Sequence, residues 1–280
     1  MRFPLYLMLG SLITAASAVL AEGTAKGAPD VLVLGDSQLT FGAGAAFLEE
    51  LGAMAGSCGL GTGASTGIIG VRSSSIASWT GRSKTAKGAI CDVDPKWKVN
   101  AGAYGTLSQG ENLYVQIGRG EQFQFCSPGQ SPLQAVFADG YYAPDLLIFF
   151  MMGNAAERWA GNPDAALKDV RALMTDLPKD QPCIFMTSAP PYKEKAVSLR
   201  QRAQDNIEKA FAKAGSYCSF VPGFTAATIR ENQGNAANFR RKSSGAVKDP
   251  FHPTEPAARR FLKLQRTALC RAITTQLGSQ

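Results

Sequence analysis

Histidine is almost absent: the 280-residue chain holds one, His252. A metal site built from several histidines is therefore excluded, and any imidazole base has to be this residue. Charge is sparse as well. Charged side chains make up 18% of the sequence, and 29 basic against 22 acidic residues leave a net +7. That excess is mild and dispersed, with no zinc-finger or RNA-binding signature beside it, so no nucleic-acid partner is expected. No Cys-x-x-Cys pair occurs, which argues against a thioredoxin-like redox site or a zinc ribbon. Internal repeats and low-complexity tracts are missing, and no motif calls for a metal or other cofactor. What is left is ordinary globular composition, 45% apolar, which excludes intrinsic disorder and fibrous repeats.

Long apolar runs are confined to the N-terminus. Arg2 begins a short basic region, Leu5 to Ile13 are apolar, and small residues follow. This pattern reads as a secretory signal peptide over residues 1–21, cleaved after Val19-Leu20-Ala21 or, as second choice, after Ala16-Ser17-Ala18. The stretch is short for a spanning helix, so residues 22–280 are expected as one exported domain, periplasmic or secreted, without stable membrane insertion. No cysteine stands directly after either cleavage site, so a lipoprotein anchor is not expected. All six cysteines lie beyond it, and an even number in an oxidising compartment implies disulfides of open connectivity. The favoured pairs are Cys183 with Cys218, each opening a short apolar run, and Cys91 with Cys126, bracketing one loop-rich segment.

Unbroken apolar runs mark strands buried on both faces: Val31 to Leu34, Asp145 to Met152 and Cys183 to Thr187, with shorter ones at Thr66 to Val71 and Cys218 to Val221. Helical spacing falls between them. Phe41, Leu48, Leu51 and Ala55 share one face, Pro163 to Leu177 and Val197 to Ala214 form two more helices, and Thr254 to Leu277 forms the last. In that helix Phe261, Leu264, Ala268 and Ala272 are expected inward. Alternating strands and helices of this kind predict a parallel sheet covered on both faces. The expected fold class is α/β: a three-layer α/β/α sandwich with a flavodoxin-like, five-stranded parallel sheet. Two stretches break the alternation. Residues 79–140 read as a β-rich insertion, with alternating pieces at 113–117 and 122–125, and Glu231 to Lys248 reads as a long polar loop.

Function in such folds sits at the carboxyl ends of the strands. Gly35-Asp36-Ser37 ends the first strand and precedes a helix, where positive potential and free N–H groups favour a serine nucleophile. Its base has to be His252, in Asp249-Pro250-Phe251-His252-Pro253, directly before the last helix with Thr254 as its N-cap. An aspartate three residues earlier can reach the imidazole Nδ1–H, fixing the tautomer and stabilising the imidazolium. Each signal alone is common. Their order, one ending the first strand and the other opening the last helix, points to a serine hydrolase.

On these blocks the sequence resembles the SGNH hydrolase superfamily, the GDSL esterases and lipases, over roughly Asp30 to Leu277. The resemblance implies Ser37 as nucleophile, His252 as base and Asp249 as its partner. It also implies an oxyanion hole made by the Ser37 N–H, a loop N–H after the second strand, and the Asn154 amide. Met152-Gly153-Asn154 ends the central strand, with Met152 and Ala155 where the family usually has glycine and aspartate. In the second block Ser73 stands at the family's glycine, with Gly70 as the alternative donor.

The implied reaction is hydrolysis of a carboxylic ester, acetyl first, on a small molecule or a cell-envelope or extracellular glycan. Trp79, Trp97, Tyr104 and Tyr114 could line a sugar cleft or pack a small satellite core, and Arg158-Trp159 could form a rim. Arg259, Lys263 and Arg266 read as a solvated face. Two rival functions remain: a glycan O-acetyltransferase using the same serine, and a non-catalytic periplasmic binding protein on the same fold.

Overall fold

A computed structural model describes residues 29–82, 129–138 and 142–278. The expected signal peptide, Cys91, Cys126, Trp97, Tyr104, Tyr114 and the alternating pieces at 113–117 and 122–125 lie outside these residues.

Five strands form one parallel sheet: β1 (Val31–Gly35), β2 (Thr66–Gly70), β3 (Leu146–Phe150), β4 (Cys183–Met186) and β5 (Ser219–Val221). Their order is β2-β1-β3-β4-β5, the flavodoxin-like arrangement of a three-layer α/β/α sandwich. The strand order reverses at β1, and in register Gly35 lies between Gly70 and Phe150. The segments leaving β1, β2 and β3 therefore emerge level with one another on one edge.

Side chains alternate across the sheet. Val31, Val33, Ile68, Ile148 and Phe150 face α1 (Gly44–Met54) and α8 (Glu255–Leu277). Leu32, Leu34, Ile69, Phe149 and Phe185 face the opposite layer. That layer holds α2 (Ile76–Thr80), α3 (Pro132–Phe137), α4 (Ala156–Gly161), α5 (Pro163–Asp176) and α6 (Glu194–Lys213). A last short helix, α7 (Ala226–Asn232), precedes the segment that leads to α8. Local chemistry starts several of these elements. Asn162 Oδ1 accepts from the Asp164 and Ala165 N–H groups with Pro163 in the first turn of α5, and Ser131 forms a capping box with Gln134 on α3. Thr254 does occupy the N-cap of α8, though its side chain makes no capping bond.

Several expectations need correction. The inward face of α8 carries Ala258, Phe261, Leu262, Gln265, Leu269 and Ile273, so it is centred between the Phe261 and Leu262 directions. Leu264 falls on the outer side and is 49% exposed. Phe41 is not part of the α1 face: a wide turn over Leu39–Ala43, with Gly42 at φ 132°, turns it away. Met54, not Ala55, is the last buried residue of that helix. The described end of the insertion is helical, since α3 occupies 132–137. Glu231 to Lys248 is folded rather than a plain loop: α7 ends in it, and antiparallel bridges pair Arg241 with Val247 and Phe239 with Pro253.

Cys183 is bonded to Cys218, joining the start of β4 to the residue before β5. Cys58 is bonded to Cys270, a pairing the sequence does not single out, and this ties the turn after α1 to α8 across 212 residues. In the stripe on α8, Lys263 and Arg266 are exposed and Arg259 partly so, as expected of a solvated face, and two of the three members also make ion pairs. Arg259 meets Glu49 and Glu255, and Arg266 meets Glu50, which is buried on α1. Among the described residues no helix is long and apolar enough to cross a membrane.

Candidate active site

At the end of β1 the backbone is closely packed: a Cβ on Gly35 would lie 2.3 Å from the Phe150 carbonyl oxygen and 2.6 Å from Leu39 Cδ1. Glycine is required there, and the chain then turns sharply. Asp36 points inward and is 1% exposed, whereas Ser37 opens into a cleft of about 660 Å³. Asp36 Oδ1 accepts the Gln38 N–H at 2.8 Å, and Oδ2 accepts the Met152 N–H at 3.4 Å. Burial raises the Asp36 carboxyl above its ordinary value, against the opposing pull of the Gln38 N–H, the Arg200 charge and the Met152 N–H.

His252 reaches the same point from the other end of the chain. Its Nε2 lies 2.9 Å from Ser37 Oγ, and its Nδ1 lies 2.9 and 3.1 Å from Asp249 Oδ2 and Oδ1. An ionised carboxylate only accepts, so Nδ1 carries the proton; in the neutral ring Nε2 is then the acceptor for the Ser37 hydroxyl. Asp249 Oδ1 also accepts the Phe251 and His252 N–H groups at 3.1 and 3.2 Å, fixing the turn that presents the imidazole. Arg240 donates to Asp249 Oδ2 at 2.6 Å. Partial burial works to raise the Asp249 carboxyl, but the hydrogen bonds from Arg240, the Phe251 N–H and His252 outweigh it and lower the pKa to about 2.

Gln38, which the sequence did not single out, and Phe41, expected only on a helix face, join the halves of this chain of contacts. Gln38 Nε2 donates to the Phe251 carbonyl at 2.7 Å, tying the serine turn to the histidine turn. The Phe41 ring lies 4.4 Å from the imidazole, with the Arg72 and Arg240 guanidinium carbons 4.5 and 4.7 Å from the Phe41 centroid. The signal for Arg240 was the basic run Arg240-Arg241-Lys242 just ahead of Asp-x-x-His. Nothing in the sequence marked Gln38 beyond its place beside the serine.

On the other side of Ser37, Ser73 and Asn154 both line the cleft. Asn154 Nδ2 donates to the Ser74 carbonyl at 2.8 Å, and an amide nitrogen has a second proton to offer. Ser73 sits at φ 63°, in the left-handed region that glycine occupies at least cost. Gly70 is the last residue of β2, pressed against Leu39 and Thr40 and not part of the cleft lining. Trp79 packs in the core rather than lining the cleft, and Trp159 is not a rim residue, since both are fully buried. The Trp159 indole donates to Asp169 Oδ2 at 2.8 Å, and Arg158 pairs with the same aspartate. Among the described residues no group of three or more His, Cys, Asp or Glu could hold a metal ion.

Chemically, the arrangement can draw a proton from Ser37 Oγ onto an imidazole whose far side faces a carboxylate. No family model and no curated protein sequence matches the chain. Solved structures to which it is similar include a carbohydrate esterase family 3 protein from Talaromyces cellulolyticus, with 12% identity over 87% of this chain and 97% of that one and a TM-score of 0.44. Another is a DUF4886 family protein from Bacteroides uniformis, with 13% identity, 88% and 92% coverage and a TM-score of 0.44. A third is an acetyl xylan esterase from Geobacillus stearothermophilus, with 13% identity, 90% and 95% coverage and a TM-score of 0.33. Similarity at this level carries no weight for the chemistry, which stands on the distances within the site.

Proposed function

We propose that the chain is an exported serine esterase of the SGNH type, hydrolysing a carboxylic ester, acetyl first, on a cell-envelope or extracellular glycan. The observation that carries this reading is the unbroken run of contacts from Ser37 Oγ through His252 to Asp249 at the mouth of the cleft. The resemblance of Gly35-Asp36-Ser37 and Asp249-Pro250-Phe251-His252-Pro253 to the SGNH blocks supports it.

In this mechanism Ser37 Oγ attacks the ester carbonyl while His252 Nε2 takes its proton. Asp249, held ionised by Arg240 and two backbone N–H groups, stabilises the resulting imidazolium. The tetrahedral oxyanion is met by the Ser37 N–H, the Ser73 N–H and the Asn154 amide, each such donor contributing about 3 kcal/mol. The imidazolium then protonates the departing alcohol. Water, deprotonated by the same imidazole, releases the acyl group and restores Ser37.

The test is turnover of p-nitrophenyl acetate and butyrate by the oxidised protein beside Ser37→Ala. Turnover that prefers acetate and disappears in the variant is expected. Rates no better than the variant's would overturn the esterase. An acceptor sugar that captures the acetyl group ahead of water would replace hydrolysis by transfer, and binding of glycan without any turnover would leave a binding protein.

A further inference from the structure

Arg200 lies on the buried face of α6 and is only 8% exposed, yet it belongs to the cleft lining. Its Nη1 has no hydrogen-bond partner, and it makes no ion pair among the described residues. A guanidinium held out of water is costly unless it is both balanced in charge and hydrogen-bonded, and Arg200 has the distant charge of Asp36 but no direct partner among the described residues. Asp36 attracts it electrostatically, but no ion pair or hydrogen bond joins the two, and the Asp36 oxygens accept the Gln38 and Met152 N–H groups instead.

The surroundings hold the guanidinium in place, with Nη1 enclosed and without a partner among the described residues. The Phe251 ring covers it on one side, 5.3 Å from the guanidinium carbon. Gly153 allows close approach as well, since a Cβ there would sit 3.1 Å from Nη2. Both neighbours are one residue from groups in the proposed chemistry, Phe251 beside His252 and Gly153 beside Asn154. The remaining charged side chains of the lining add to the same sign. Arg72, Lys193 and Lys195 are exposed cations, against one exposed carboxylate, Glu157, besides the buried Asp36.

We infer that Arg200 is a specificity residue, and that the cleft takes esters whose alcohol portion carries an anionic group, so that the substrate is an acetylated acidic glycan. This inference rests on the esterase reading. An acetyl group has no charge to offer, so the anion has to belong to the sugar side, as a uronate carboxylate or as a sulfate or phosphate on the ring. A hydrogen bond to a charged group of this kind is worth roughly tenfold or more in selectivity.

The experiment compares matched substrates with the wild-type protein: an O-acetylated methyl glucuronoside, the corresponding O-acetylated methyl glucoside, and the glucoside bearing a 6-sulfate or 6-phosphate. The expected result is a kcat/KM at least about tenfold higher for one of the charged esters than for the glucoside, expressed mainly in KM. Which charged ester leads identifies the anion. In Arg200→Gln the charged-to-neutral ratio should fall to about one, with Arg200→Lys retaining part of it. Equal kcat/KM for charged and neutral esters in the wild type overturns the inference, and that comparison requires no variant to fold. A ratio that survives in Arg200→Gln overturns the role of this residue. Failure of the esterase reading looks different: no ester is turned over, while Ser37→Ala still binds a uronate oligosaccharide more tightly than its neutral analogue by calorimetry.

Discussion

Two aspartates flank the pair formed by Ser37 and His252, Asp36 in the turn after β1 and Asp249 in the turn before α8, and their surroundings act on them in opposite directions. Asp36 is sealed in the sheet edge, where burial dominates and raises its pKa. Asp249 is only partly buried, and its hydrogen bonds, Arg240's foremost, lower it to about 2. The same side chain thus serves as an internal fastening in one place and as a permanent negative charge in the other. The difference lies first in burial and then in the donors: fully buried Asp36 receives two backbone N–H groups, whereas partly buried Asp249 receives a guanidinium, an imidazole and two N–H groups.

The contrast should break most widely in catalysis. Asp249→Asn removes the charge that faces the imidazolium and offers Nδ1 the wrong tautomeric partner, so kcat for the acetyl ester should fall on the order of 10³–10⁴-fold. Asp36→Asn should lower kcat far less, and single-turnover kinetics on both variants measure the gap. Next in size is Asn154→Ala on the oxyanion side, with an expected loss of about 10²-fold in kcat.

Arg240→Ala sharpens the comparison by taking away the main force that lowers Asp249. The Asp249 carboxyl should rise toward its ordinary value, and activity should then be lost at a higher pH on the acid side than in the wild type, as a pH–kcat/KM profile would record. The smallest effect is on stability. Asp249 contributes stability that is present above its unfolded value of 3.8 and is lost as pH falls toward about 2. Asp36, with its pKa raised, contributes the other way: its share is complete below 3.8 and is lost as pH climbs through the raised value. Denaturant melts at stepped pH should show a shallower decline above pH 4 in Asp36→Asn.

The strands were legible because β1, β3 and β4 are covered on both faces, which leaves continuous apolar runs such as Leu146 to Phe150. Ser37, Asp249 and His252 were legible because each falls in a short local block whose place in a parallel sheet is set by chain order. Features decided by distant packing were not. Trp79 and Trp159 carry no local sign of whether they lie in a core or on a rim. Gln38 acts through a contact with Phe251, 213 residues away. Arg200 belongs to a helix rich in lysine and arginine, where one buried cation looks like its solvated neighbours. Leu264 shows the limit of periodicity, since a face drawn through Phe261 and Ala268 misses the inward one by part of a turn.

The Cys58–Cys270 link bears on assembly. α1 follows the serine turn and α8 follows the histidine turn, and the disulfide ties the turn after α1 to α8. Once oxidised, the chain is a ring that closes 212 residues, and the segments holding nucleophile and base travel as tethered neighbours even when unfolded. Much of the search that brings together two groups 215 residues apart is then completed by a covalent bond, and its entropy no longer opposes the fold.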